Sequence, residues 1–290
     1  MIKKSLIFLM LALLFGAYSH RIWGWEDVEI QPQYIYTPEG HKTNIHTLSR
    51  SSILERHKWI VVYSPHPDDE TLGLGATIHY YKRMGFKILV VVLTHGEGSI
   101  AREILCDLYG FCFSEKEFGL LRVEEFKAAM VTLGVYHAVY DFGDQNLEEE
   151  KIKRIILYYD RNLDVAYHFV TASESGFNPD HVVTSVALKN VNVRGGKAEF
   201  GVYALYYTQI DIHGRIIINA DIKDLICKRD ALYQYRYWNP AEERYSIGYL
   251  TFPELWDLLY SKYEFEIILI ITDKDWEEVN KRKTGKHSSF

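Results

Sequence analysis

One histidine and three consecutive carboxylates stand between positions 66 and 70, in the stretch WIVVYSPHPDDE at 59–70. Three adjacent acids repel one another and gain little from packing, so Asp68, Asp69 and Glu70 point to a bound cation. His66 and Asp69 are three residues apart in a turn stiffened by Pro65 and Pro67, and His181 follows far downstream. Two imidazoles and one carboxylate with open positions for water suit a catalytic zinc site. Asp68 would stay unliganded there and could take a proton from water. The bland alternative is that Asp68 or Asp69 caps the next helix, which leaves the surplus of acids without an explanation.

The elements that must position these groups can be read around them. Trp59–Tyr63 is a run of apolar and β-branched residues, as in a strand buried on both faces, and the text turns helical from Thr71. The acids then lie at the carboxyl end of a strand, where open α/β sheets place their sites. Strand patterns at 87–94, 135–141 and 164–170 alternate with helical patterns at 120–134, 147–161 and 179–192. This alternation predicts a doubly wound, mostly parallel sheet flanked by helices. Such a sheet can bring the turn after the first strand beside the one preceding His181. Farther on, 202–210, 215–219 and 265–272 read as strands, and 221–236 and 253–262 as helices.

Residues 99–119 form a long insertion beside the expected site, of the kind that serves as a lid, with room for a short helix. Cys106 and Cys112 lie within it, either bridged or as two buried thiols, and Cys227 is left over in a helix. The chain of 290 residues carries a net charge of −6, which argues against nucleic acid as a partner. Its 22 tyrosines fit core packing better than sugar stacking.

Lys3 and Lys4 precede an apolar run from Leu6 to Tyr18, the length of a signal-peptide core and short for a membrane span. Residues 1–25 are therefore expected to export the chain, as a cleaved signal or as an anchor giving membrane association through residues 5–18. Residues 26–57 read as an irregular leader whose His41, His46 and His57 are solvated.

PHPDDE at 65–70, after a buried strand and before a glycine-containing helix, resembles the signature of the PIG-L/LmbE-like zinc-dependent N-acetylglucosaminyl deacetylases. Arg122-Val123-Glu124-Glu125, Asp141-Phe142-Gly143-Asp144 and Pro179-Asp180-His181 resemble later segments of that family in the same order. The likeness runs over 58–238, with 239–290 as a C-terminal extension ending in a basic tail. It implies a Rossmann-like fold, zinc on His66, Asp69 and His181, Asp68 as general base, and Arg122 and Asp144 on the substrate side. Iron, cobalt or manganese suits the same ligand set. Glu70 is expected to support the site rather than react.

One position departs from the family pattern. Asn178 stands where the second motif begins with a histidine that stabilises the intermediate or assists the leaving amine. Asparagine can donate to an oxyanion but cannot transfer a proton, so either Asp68 serves as both base and acid or His95 or His168 compensates. Two readings follow: a metal-dependent hydrolase removing acetyl from an N-acetylated sugar or glycolipid, or a zinc-containing carbohydrate-binding protein without turnover. A nucleotide site at Gly73 and Gly75 is disfavoured, because acids fill the turn where phosphate would sit.

Overall fold

The computed structural model describes residues 31–55, 58–171, 178–191, 198–203, 215–262 and 265–270. The chain divides into two units, Met1–Gln31 and Pro32–Phe290, and the fold and the site belong to the second. The expected export segment, His57 and the basic tail lie outside the described residues. No described helix is long and apolar enough to cross a membrane.

Five parallel strands make the centre of the sheet: β3 (Trp59–Ser64), β4 (Lys87–Val92), β5 (Tyr136–Val139), β6 (Val165–Thr171) and β7 (Glu199–Tyr203), side by side in the order β5-β4-β3-β6-β7. The order reverses direction at β3, and a crevice opens at the carboxyl ends of β3 and β6. Both faces of β3 are covered. Ile60 and Val62 join one core with Phe126, Met130 and Leu232, while Trp59, Val61 and Tyr63 join a second with Ile155, Tyr159 and Leu188. Strict alternation between two cores explains why the strand reads as an unbroken apolar run.

Connecting helices follow the expected alternation. They are α2 (Asp69–Arg83), α3 (Ala101–Tyr109), α4 (Glu115–Leu133), α5 (Glu149–Asn162), α6 (Pro179–Val191) and α7 (Ile222–Arg236). Helix α2 starts at Asp69, two residues before the expected Thr71, so Asp69 and Glu70 belong to its first turn. Carboxylates are favoured there by the helix dipole. Helix α4 starts earlier than the apolar pattern indicates, because Ser114 and Glu117 form a capping box.

One expectation needed correction. The leader is not irregular: β1 (Tyr34–Tyr36), β2 (Lys42–Thr43) and α1 (Ile45–Glu55) lie within it, and β1 pairs antiparallel with β5 at the sheet edge. Three-residue pairing is too short to leave a periodic signal. The C-terminal extension reaches into the sheet itself. After α7, β9 (Trp238–Asn239) and β10 (Arg244–Tyr245) pair with each other, α8 (Ile247–Thr251) and α9 (Pro253–Lys262) follow, and β11 (Phe265–Ile270) is inserted antiparallel between β7 and β8 (Arg215–Asn219). Buried Glu266 of β11 accepts from the backbone N–H groups of Ala76 and Thr77 and pairs with Lys228, tying the last strand to α2.

The insertion 99–119 carries α3 and is closed by a Cys106–Cys112 disulfide. Ala101, Leu105 and Phe118 pack there with Tyr245 and Ile247 in a third, smaller cluster. Cys227 is a free thiol in α7, its acidity suppressed to about 11 by burial.

Candidate functional site

Ser64 ends β3 and donates to the carbonyl of His66 at 2.6 Å, folding the chain back immediately after the strand. Asp68 then takes φ 118°, a conformation costly for any residue with a side chain. Several contacts hold it. Glu70, fully buried, accepts from the Asp68 N–H at 3.2 Å, from Thr71 Oγ1 at 2.7 Å and from Tyr235 OH at 2.6 Å, with Ser64 Oγ 3.1 Å away. The Asp68 carbonyl accepts from the N–H groups of Thr71 and Leu72. Glu70 thus braces the strained turn.

That turn and α6 bring three ligand atoms together. His181 Nε2 lies 3.1 Å from Asp69 Oδ2 and 3.3 Å from His66 Nδ1, and Asp69 Oδ2 lies 3.2 Å from His66 Nδ1. All three residues are buried. A tetrahedral ion with bonds of ~2.0–2.1 Å spaces its donors by roughly 3.3–3.4 Å, so this triangle fits one. The second ring nitrogen of His66 is engaged elsewhere: Nε2 lies 3.2 Å from Asp180 Oδ2, and Nδ1 faces the triangle.

The local charges favour a cation. Burial alone would lower the basicity of His66, but Asp144, Asp180 and Asp69 outweigh it and hold the ring well above the usual histidine range. Burial would raise Asp69, yet His181 and His66 pull its carboxyl below the usual carboxylate range.

Asp68 sits beside this triangle without joining it. Burial pushes its carboxyl well above the usual range, against the opposing pull of Arg122. Arg122 Nη2 donates to Asp68 Oδ2 at 3.0 Å and to the Pro67 carbonyl at 2.8 Å, while Nη1 donates to the Gly96 carbonyl at 2.7 Å. Gly96 has φ 66°, and a Cβ there would lie 2.2 Å from Arg122 Nη1, so only glycine admits the guanidinium. Among the described residues Asp68 Oδ1 keeps no hydrogen-bond partner.

Asn178 lies two residues before Asp180, and its Oδ1 accepts from the Asp180 N–H at 2.9 Å as the cap of α6. Because a backbone N–H can only donate, this bond identifies the oxygen and leaves Nδ2 as the group available to a ligand. Asp144 Oδ2 accepts from Gly98 N at 2.8 Å, and its Oδ1 stands 3.1 Å from His66 Nε2 without hydrogen-bond geometry. Neither candidate substitute for the missing histidine lines the cleft. His168 is enclosed between Tyr63 OH at 3.0 Å and Asp160 Oδ1 at 3.3 Å. His95 faces Asp141, with Nδ1 3.8 Å from its carboxylate.

Sequence reasoning assigned no role to Asp180. Besides His66 it accepts from the N–H of Gln145 at 2.8 Å and of Leu147 at 3.4 Å, joining the loop after β5 to a ligand of the triangle. Its place beside His181 was the available signal.

Residues 61–192 match the family model of GlcNAc-PI de-N-acetylase. This segment is a PIG-L family domain. Over 93 residues the chain is 37% identical to diacetylchitobiose deacetylase of Thermococcus kodakarensis, covering 31% of each chain. Over 126 residues it is 30% identical to 1D-myo-inositol 2-acetamido-2-deoxy-alpha-D-glucopyranoside deacetylase of a Mycobacterium species, covering 41% of this chain and 40% of the relative. The matches thus span less than half the length of these relatives. A deacetylase of the teicoplanin biosynthetic pathway, solved as a triple mutant, superposes with a TM-score of 0.55 at 18% identity, over 74% of this chain and 99% of its own. That likeness concerns the mixed α/β fold. The PIG-L domain holds every member of the ligand triangle as well as Asp68, Arg122 and Asn178.

Proposed function

We propose that this protein is a metal-dependent hydrolase that removes the acetyl group from an N-acetylated amino sugar of the N-acetylglucosamine type. The observation that carries the proposal is Asp68: a buried carboxylate held in a strained turn, beside three converging ligand atoms and outside their triangle. A binding protein has little use for such a group. The names of the relatives point to the same substrate class.

His66, Asp69 and His181 would hold the ion, for which zinc suits the donor set best. Bound there, it would polarise the acetamide carbonyl and acidify a water. Arg122 occupies Oδ2 of Asp68 and leaves Oδ1 to accept the water proton. Nδ2 of Asn178 supplies a donor to the oxyanion as the carbonyl carbon becomes tetrahedral. Asn178 has no proton to give, so Asp68 returns its own to the departing nitrogen as the C–N bond breaks. The products are acetate and the free amine. Asp144 stays with Gly98 and His66 and orients the rim of the site.

Placement outside the cytoplasm belongs to the proposal, and the Cys106–Cys112 disulfide supports it, since such bridges persist in oxidising compartments. The deciding experiment compares acetate release by metal-loaded wild type and Asp68→Asn, a residue that tolerates positive φ. Retained metal with release reduced about 10²–10⁴-fold is expected. Full metal occupancy with no release by the wild type on simple or lipid-linked N-acetylglucosamine would favour the carbohydrate-binding reading.

A further inference from the structure

The loop after β5 presents one exposed side chain to the cleft from a strained backbone. Gln145 takes φ 62°, a left-handed conformation that costs free energy for a residue with a side chain and that glycine adopts readily. Its surroundings hold it there. Asp180 Oδ2 accepts from the Gln145 N–H at 2.8 Å, Glu97 Oε1 accepts from the Asp144 N–H at 2.8 Å, and Asn146 Nδ2 donates to the Asp144 carbonyl at 3.0 Å. Strain that the surrounding structure enforces in this way collects at ligand-binding positions.

Other polar side chains of the cleft are committed. Arg122 donates to the Gly96 and Pro67 carbonyls and to Asp68, Asn178 Oδ1 caps α6, and the hydroxyls of Ser99 and Thr251 lie 2.8 Å apart. The carboxylates of Asp144 and Asp180 accept and cannot donate. Gln145 differs from all of these. It lines the cleft, and among the described residues its side-chain amide makes no hydrogen bond, so a donor and an acceptor are both unspent. Gly98 keeps the space beside it clear: a Cβ there would stand 3.2 Å from Gln145 Nε2 and 3.0 Å from Asp144 Oδ2.

Gln145 also stands one carboxylate away from the ligand triangle. Asp180 Oδ2 lies 2.8 Å from the Gln145 nitrogen and 3.2 Å from His66 Nε2. With the acetamide of an amino sugar seated at the triangle, the next ring hydroxyls are those on C3 and C4. In the gluco configuration both are equatorial, and one planar amide can donate to the first while accepting from the second. An axial 4-hydroxyl breaks that pair.

We propose that Gln145 determines the sugar specificity of this site, its amide bridging the 3- and 4-hydroxyls of the amino sugar and selecting the gluco over the galacto epimer. The inference rests on the deacetylase reading only for the seat of the acetamide.

The test uses the methyl β-glycosides of N-acetylglucosamine and N-acetylgalactosamine with full-length, metal-loaded wild type and Gln145→Gly. Calorimetry reads binding, and acetate release reads turnover. Wild type should favour the gluco epimer about tenfold, the worth of one or two hydrogen bonds to a neutral amide. Gln145→Gly removes the amide and relieves the backbone, so its Tm should equal or exceed that of wild type and its metal affinity should not change. Its KM for the gluco substrate should rise about tenfold at nearly constant kcat, and the epimer preference should fall to about one. A wild type without epimer preference, a preference that survives in Gln145→Gly, or a kinetic loss that follows lost metal would each overturn the inference. Selective binding without release, abolished in Gln145→Gly, would uphold the role of Gln145 and defeat the deacetylase reading. Release with no epimer preference would defeat the role of Gln145 alone.

Discussion

Arg122 donates to Asp68 Oδ2 at 3.0 Å and to the Pro67 carbonyl at 2.8 Å from a single nitrogen, clamping the side chain and the backbone of the strained turn together. Its other terminal nitrogen holds Gly96. The arginine therefore acts on Asp68, the proposed base. Arg122→Met should destabilise the fold by about 3–5 kcal/mol, the usual cost of orphaning a buried charge. It should also raise the Asp68 carboxyl further, because Arg122 pulls it down more strongly than His66 does. The acid limb of the pH profile of kcat/KM should then move to higher pH. A limb that stays in place would remove Arg122 from control of the base.

Asp180 supports a ligand of the triangle through the far nitrogen of His66. Asp180→Asn should weaken metal affinity about 10–100-fold in chelator competition. Asp144→Asn should have a smaller effect, since Asp144 Oδ1 makes no aligned hydrogen bond to that ring. Equal losses in the two variants would contradict this ranking.

Glu125 links stability to pH. Burial raises its carboxyl from 4.5 to about 7, against the N–H groups of Ile247 and Gly248, which lower it. The native state thus binds a proton more tightly than the unfolded chain. The group's stabilising contribution is complete below about pH 4.5 and is lost as pH rises through about 7, by roughly 3 kcal/mol in all. In urea unfolding between pH 5 and 8, wild type should lose stability relative to Glu125→Gln as pH rises. Parallel curves would show that the carboxyl is not shifted.

Gly75 lies in α2 where Lys228 crosses to reach Glu266 and the Leu72 carbonyl. A Cβ at Gly75 would stand 2.9 Å from Lys228 Cγ, close to that side chain's root, where it cannot swing aside. Gly75→Ala should cost about 1–2 kcal/mol by thermal unfolding, overpacking outweighing the helix propensity gained. A more stable variant would mean that Lys228 has room to shift.

From the amino acids alone the parallel centre of the sheet was legible, and His66, Asp69 and His181 could be named as candidate ligands. Trp59–Tyr63 had to be buried on both faces because the run contains no polar position to turn outward, and PHPDDE places one imidazole and three carboxylates on a stretch too short to separate them. His181 could be joined to them because strand ends in such a sheet are neighbours. Tertiary structure alone decided the rest. The strands at 34–36 and 42–43 exist only through pairing with β5 and with each other, and β11 enters between β7 and β8 from far along the chain. No local periodicity encodes partners so distant in sequence. The partners of Arg122, the orienting role of Asp180 and the cleft residues supplied by α8 and α9 are likewise contacts across long separations. They depend on which surfaces the packed helices bring within 3 Å, and that is settled only once both cores are filled.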